Sequence, residues 1–71
     1  MKKTIYFTGT NHNTGQLEQA IKTATDKRDV FLKENKENIA KIDNEEIIIT
    51  AWNGNNNNVI PTIKLTYYSK Q

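Results

Sequence analysis

Apolar and polar residues change their spacing three times along this chain. Thr4-Ile5-Tyr6-Phe7-Thr8 is β-branched and aromatic and stops at Gly9, the signature of a strand. Its period of two sends Ile5 and Phe7 to one side and Thr4, Tyr6 and Thr8 to the other. From Leu17 the spacing becomes helical, through Leu17, Ala20, Ile21, Ala24, then Phe31 and Leu32. Asn13, with Gln16 three residues later, makes a capping-box-like start. Glu46-Ile47-Ile48-Ile49-Thr50-Ala51-Trp52 returns to strand character. Asn53-Gly54 and the four asparagines after it predict a hairpin loop. Val59–Tyr68 is the last strand. From Pro61 it alternates, with Ile63, Leu65 and Tyr67 on one face and Thr62, Lys64, Thr66 and Tyr68 on the other. Pro61 has no N–H to donate, so the alternating part begins there or lies at an edge.

Residues 29–42 admit two readings. In the favoured one the helix continues, and Asp29/Lys33, Lys33/Glu37 and Glu37/Lys41 form a ladder of i,i+4 pairs. A helix running unbroken from Thr14 to Ala40 would be ~40 Å long. A strand of seven or eight residues spans only ~25 Å. Such a helix must bend near Arg28, where the apolar stripe is interrupted, or overhang the sheet. In the other reading Val30-Phe31-Leu32 is a short strand and Asn35-Lys36-Glu37-Asn38 its turn.

The expected fold is α+β, with order βαββ and a three-stranded, largely antiparallel sheet carrying one helix on one face. The whole chain, residues 1–71, forms one domain. The helix stripe then covers a core of Ile5, Phe7, Leu17, Ile21, Ala24, Phe31, Ile47, Ile49, Ala51, Ile63, Leu65 and Tyr67. The opposite face holds Thr4, Tyr6, Thr8, Ile48, Thr50, Trp52, Ile60, Thr62, Lys64, Thr66 and Tyr68. Nothing in the sequence covers that second face. An apolar and aromatic patch on so small a domain marks a surface that something else covers, and Tyr and Trp are favoured interface residues.

Composition narrows the rest. The 71 residues are 35% hydrophobic, and a domain this small hides only about 60% of the surface its unfolded chain exposes. With no cysteine and one histidine, no disulfide, thiolate nucleophile or single-chain multi-histidine metal site is available. No apolar run approaches the ~20 residues of a membrane span. The expectation is a soluble, cytoplasmic protein without cofactor, metal or membrane partner. Ten Lys+Arg against eight Asp+Glu leave a net charge of +2, too scattered to form a nucleic-acid footprint. The abundant asparagines suit turns and caps.

No catalytic constellation emerges. Gly9–Gly15 lies between a strand and a helix, but it lacks the Gly-Lys-Ser/Thr ending of a phosphate loop. His12 has no sequence-evident Asp, Ser or Cys partner, so a solvated loop histidine is the expectation. Glu45 and Glu46 are adjacent in a strand and point to opposite faces, so they cannot share a site.

Three readings of the open face remain. The first is self-association into a homodimer, by sheet stacking or edge pairing. The second is docking onto a larger protein. The third is single-stranded nucleic acid, with Tyr6, Trp52 and Tyr68 stacking bases and Lys64 meeting phosphate; the thin basic surplus places it last. The expected function is therefore a non-enzymatic interaction module that acts by surface occupation, as an inhibitor or regulator. The expected partner-binding residues are Tyr6, Ile48, Thr50, Trp52, Lys64 and Tyr68.

In the order of its elements, through Thr4–Phe7, Phe31-Leu32-Lys33-Glu34, Ile47–Ile49 and Ile63-Lys64-Leu65-Thr66-Tyr67-Tyr68, the chain resembles a family of small sporulation-associated proteins of Gram-positive bacteria. The resemblance implies the βαββ order and carries no assigned chemistry. In size and Asn/Lys/Ile bias the chain also looks like accessory proteins of phages and mobile elements.

Overall fold

A computed structural model describes residues 1–52 and 55–70, without the side chains of Trp52, Asn55 and Asn56. The turn expected at Asn53-Gly54 lies outside the described residues. Strand β1 (Lys2–Thr8) leads through a short strand β2 (His12–Asn13) and a 3-10 turn (Thr14–Gln16) into helix α1 (Leu17–Glu34). A second 3-10 turn (Lys36–Asn38) connects to β3 (Ile39–Trp52), which pairs with β4 (Asn55–Ser69). The fold is α+β, with every strand pair antiparallel. The two-residue β2 adds a fourth strand to the three expected. Among the described residues no helix is long and apolar enough to cross a membrane.

Strand β4 is the centre of the sheet. β1 and β2 lie end to end along one side of it and β3 along the other. Between β1 and β2 the chain loops out at residues 9–11, and Pro61 sits opposite that gap. The Gly9 N–H donates to the Pro61 carbonyl at 2.8 Å. The reciprocal bond is missing because proline has no N–H. Proline is thereby accommodated in a central strand at the one point where its neighbour breaks off.

Helix α1 ends six residues before the favoured reading placed its end. The N–H and the side-chain amide of Asn35 both donate to the Phe31 carbonyl, each at 2.9 Å. Ile39 then opens β3 opposite Ser69, and the Lys70 N–H donates to the Asn38 carbonyl at 2.8 Å. The ladder of i,i+4 charges loses to this pairing because each such pair is worth only about 0.2–0.5 kcal/mol. Within the helix, Asp29 turns to Arg28 at 2.8 Å, and Glu37 and Lys41 fall beyond the helix end. The alternative reading placed the turn at 35–38 correctly, but its short strand at 30–32 is helical. The asparagines from 55 onward belong to β4 rather than to a loop.

The core is narrower than the pattern implies. Phe7, Ala20, Ala24, Val59, Ile63 and Leu65 are buried, with Ile5, Phe31, Leu32 and Tyr67 packed around them. The Phe31 ring lies between Phe7 and Tyr67, with centroids 5.4 and 5.6 Å away. Ile47, Ile49 and Ala51, expected in the core, are exposed. Leu17 is 39% exposed. The reason is width. A helix is ~10 Å across and strands are ~4.8 Å apart, so one helix shields about two strands. The α1 helix lies on β1 and β4, and β3 is left outside its cover.

Candidate functional site

The open face is built by cross-strand register. Residues directly opposite in an antiparallel pair share a face, and Phe7, Ile63 and Leu65 define the helix side. The other side therefore carries rows that run across β1, β4 and β3. They are Thr8, Thr62 and Ile48; Tyr6, Lys64 and Glu46; Thr4, Thr66 and Asn44; and Lys2, Tyr68 and Lys41. The Thr8–Thr62 and Thr4–Thr66 hydroxyls approach to 3.4 and 3.5 Å. The Lys41 ammonium stands 5.2 Å from the centroid of Tyr68, a cation–π contact.

Tyr6 is 58% exposed, the most open aromatic among the described residues, with half-buried Lys64 beside it and Glu46 beyond. Ile48 and Thr50 are exposed on the same face. Tyr68 is half-buried at the far end of β4, eight residues along from Ile60, the partner of Thr50. At ~3.3 Å per residue that is about 26 Å. Tyr6 and Lys64 lie midway, four β4 residues from either row, with Ile48 and Thr50 toward one end and Tyr68, Lys2 and Lys41 toward the other. The Trp52 backbone closes β3 opposite Asn55, which puts it at the other end of the hairpin from Tyr68. Its side chain lies outside the described residues. A surface reaching from Trp52 to Tyr68 therefore runs along nearly the whole length of the hairpin.

The residues that pattern reading missed are on the helix side of β3. Ile47 and Ile49 are 48% and 43% exposed. Ile47 and Ile49 lie opposite Ile63 and Pro61, beside the helix yet beyond its reach. Glu45 shares that side and receives Arg28, whose Nη1 donates to the two carboxylate oxygens at 2.9 and 3.0 Å. Helical spacing places Leu17, Ile21 and Leu32 on the same flank of α1 as Arg28. The flank and the edge strand form an apolar corner around that ion pair. The signal that could have found it was the helix width set against three strands.

Electrostatically the site is balanced. The carboxylate of Asp29, then that of Glu45, hold the Arg28 guanidinium above its usual pKa against partial burial. Lys2 stands 3.5 Å from Asp43, and Lys64 lies opposite Glu46.

The remaining candidates are occupied by the fold. The His12 Nδ1 sits 3.1 Å from the Thr10 carbonyl and 3.2 Å from its hydroxyl, in a short strand rather than a loop. Three of the N–H groups between Gly9 and Gly15 are already bonded, that of Gly9 to the Pro61 carbonyl. Thr10 donates to Thr23 Oγ1 at 2.9 Å and Gly15 to Asn13 Oδ1 at 2.8 Å. Among the described residues no group of three or more His, Asp or Glu is arranged to hold a metal ion. Comparison of the chain with protein-family models, with curated proteins and with solved structures finds no match.

Proposed function

We propose that this chain is a small, non-enzymatic interaction protein of the cytoplasm, which regulates or inhibits a larger protein by occupying its surface. The observation that carries the reading is the one-sided cover of the sheet. Tyr6 and Ile48 stand open on the uncovered face, and β3 is exposed on both faces along residues 40–51. A domain of 71 residues loses much of its apolar gain by leaving such residues in water. A partner surface recovers it. The docking neighbourhood is Tyr6, Lys64, Ile48 and Thr50, with Trp52 continuing β3 beyond them.

A photo-crosslinking residue placed at Tyr6 in the producing cell tests this. A discrete adduct from position 6, absent when the same probe replaces Val30 on the outer side of the helix, supports the reading. Adducts from Val30 alone, or from neither position, sink it.

Single-stranded nucleic acid is the second reading, favoured by the neighbours Tyr6–Lys64 and Tyr68–Lys41. It ranks lower because Lys2 and Lys64 each lie beside a carboxylate, and phosphate affinity depends on net positive charge. Salt-sensitive quenching of the single tryptophan by an oligonucleotide would reverse that order.

A further inference from the structure

We infer that the outer edge of β3 is a self-pairing edge, and that its occupant is a second copy of this chain, joined antiparallel about a two-fold axis at Ile48. The inference deepens the interaction reading and rests on it, by naming one partner and its register.

The backbone comes first. Gly9 and Met1 bond to Pro61 and Ser69, so the odd-numbered residues of β4 turn their N–H and C=O groups toward β1. The even-numbered ones then face β3, where Asn44, Glu46, Ile48 and Thr50 meet them. The N–H and C=O groups of Glu45, Ile47, Ile49 and Ala51 therefore point away from the sheet. Among the described residues no strand pairs with them.

Protection of the sheet edges is uneven. Edges that must not pair carry lysines, charges or bulges. The β1 edge has Lys2 and Lys3, and the Lys27 ammonium caps the outward Thr8 carbonyl at 2.7 Å. The first half of β3 has register shifts at Ile39/Lys41 and Ile42/Asn44 and the charges of Lys41, Asp43, Glu45 and Glu46. From Ile47 to Ala51 there is no charge, no proline and no register shift. That unprotected stretch holds three isoleucines more than 40% exposed.

Charge selects both partner and register. Like charges directly opposite are destabilising. A two-fold axis near Glu45 or Glu46 would set these carboxylates against their own copies. With the axis at Ile48, Glu45 faces Ala51 and Glu46 faces Thr50 of the second copy. Ile47 then bonds Ile49 of the second copy, and the two Ile48 side chains meet in a non-hydrogen-bonded pair. The sheet becomes continuous, both helices lie on its same face, and the apolar corners at Ile47, Ile49 and Leu17 close on one another. Pairing of one short edge strand covers little surface compared with the usual 1,200–2,000 Å² of a stable interface, so the dimer is expected to be concentration-dependent.

The chain has no cysteine, so single-cysteine variants report the register. Opposed Cα atoms in a non-hydrogen-bonded pair are ~4.5 Å apart, within disulfide range. Ile48→Cys should cross-link rapidly under mild oxidation. Ile47→Cys and Ile49→Cys should each cross-link slowly alone but readily when mixed. Ile49→Pro removes an outward N–H that the isolated chain does not use. It should leave the circular dichroism spectrum intact and weaken self-association at least about tenfold in sedimentation equilibrium. A strictly monomeric parent chain, or a dimer in which Ile48→Cys has no advantage over the flanking cysteines, overturns the inference. Neither result touches the adduct from position 6, which tests the larger partner separately. Loss of that adduct with Ile48→Cys cross-linking retained would leave the dimer and remove the larger partner.

Discussion

Arg28 on α1 reaches across to Glu45 on β3, its Nη1 placed 2.9 and 3.0 Å from the two carboxylate oxygens. The contact ties the helix to a strand that it does not cover. Charge-assisted bonds of this kind are roughly twice as strong as neutral ones, and both groups are partly withdrawn from water.

Breaking this tie should loosen the edge strand more than the core. Glu45→Gln is expected to cost about 0.5–1 kcal/mol in urea unfolding, with less loss in high salt. A double-mutant cycle with Arg28→Met should return a coupling of similar size, and amide exchange should rise first in β3. The guanidinium pKa is raised by Asp29 and Glu45. A raised cation contributes stability that is fully present below its unfolded pKa and lost only above it. Stability should therefore show no titration of Arg28 from neutral to mildly alkaline pH. A zero coupling energy would show that the contact contributes nothing.

Gly9 is required by space. A Cβ there would overlap the Thr23 hydroxyl and come within 3.1 Å of the Ala20 carbonyl and the Pro61 ring. That hydroxyl is already held between the Ala20 carbonyl at 2.6 Å and the Thr10 N–H at 2.9 Å. Gly9→Ala should destabilise by about 1–3 kcal/mol, the usual cost of overpacking. A melting temperature equal to that of the parent would contradict the close approach of helix and loop.

Ile63 and Ile47 are direct cross-strand neighbours with opposite environments. Ile63 is fully buried, and Ile47 is open beside it. Ile63→Ala should cost about 2–5 kcal/mol, enough to unfold much of a domain this small. Ile47→Thr keeps β-branching at an exposed position, and at low protein concentration it should stay within about 0.5 kcal/mol of the parent. Equal costs would show that β3 is covered after all.

Lys27 guards the other edge. Its ammonium donates to the outward Thr8 carbonyl at 2.7 Å. Lys27→Met keeps the stem and removes the donor. Stability should fall by about 0.5–1 kcal/mol, and the β1 edge, no longer capped, should raise light scattering in concentrated samples. Unchanged scattering would show that Lys2 and Lys3 protect that edge without it.

Local spacing was enough to find β1, the apolar stripe of α1 and the hairpin pair, because periods of two and 3.6 are properties of the chain itself. It also placed Glu45 and Glu46 on opposite faces, and Tyr6, Ile48, Thr50 and Lys64 together on the uncovered one. It misjudged residues 35–42. The charge ladder is a weak local preference, and pairing of Ile39 and Ile42 with the end of β4 outweighs it. It also misjudged Ile47, Ile49 and Ala51, since alternation says which residues share a face and nothing about how far a helix extends over it.

What the chain determined by itself is the order of its elements and the side to which each residue points. What only the tertiary structure decided is which strand lies outermost. With β4 in the middle and one helix wide enough for two strands, the two isoleucines that alternation would bury, Ile47 and Ile49, remain in water, because shielding depends on lateral distance across the sheet, a quantity that no spacing along the sequence encodes.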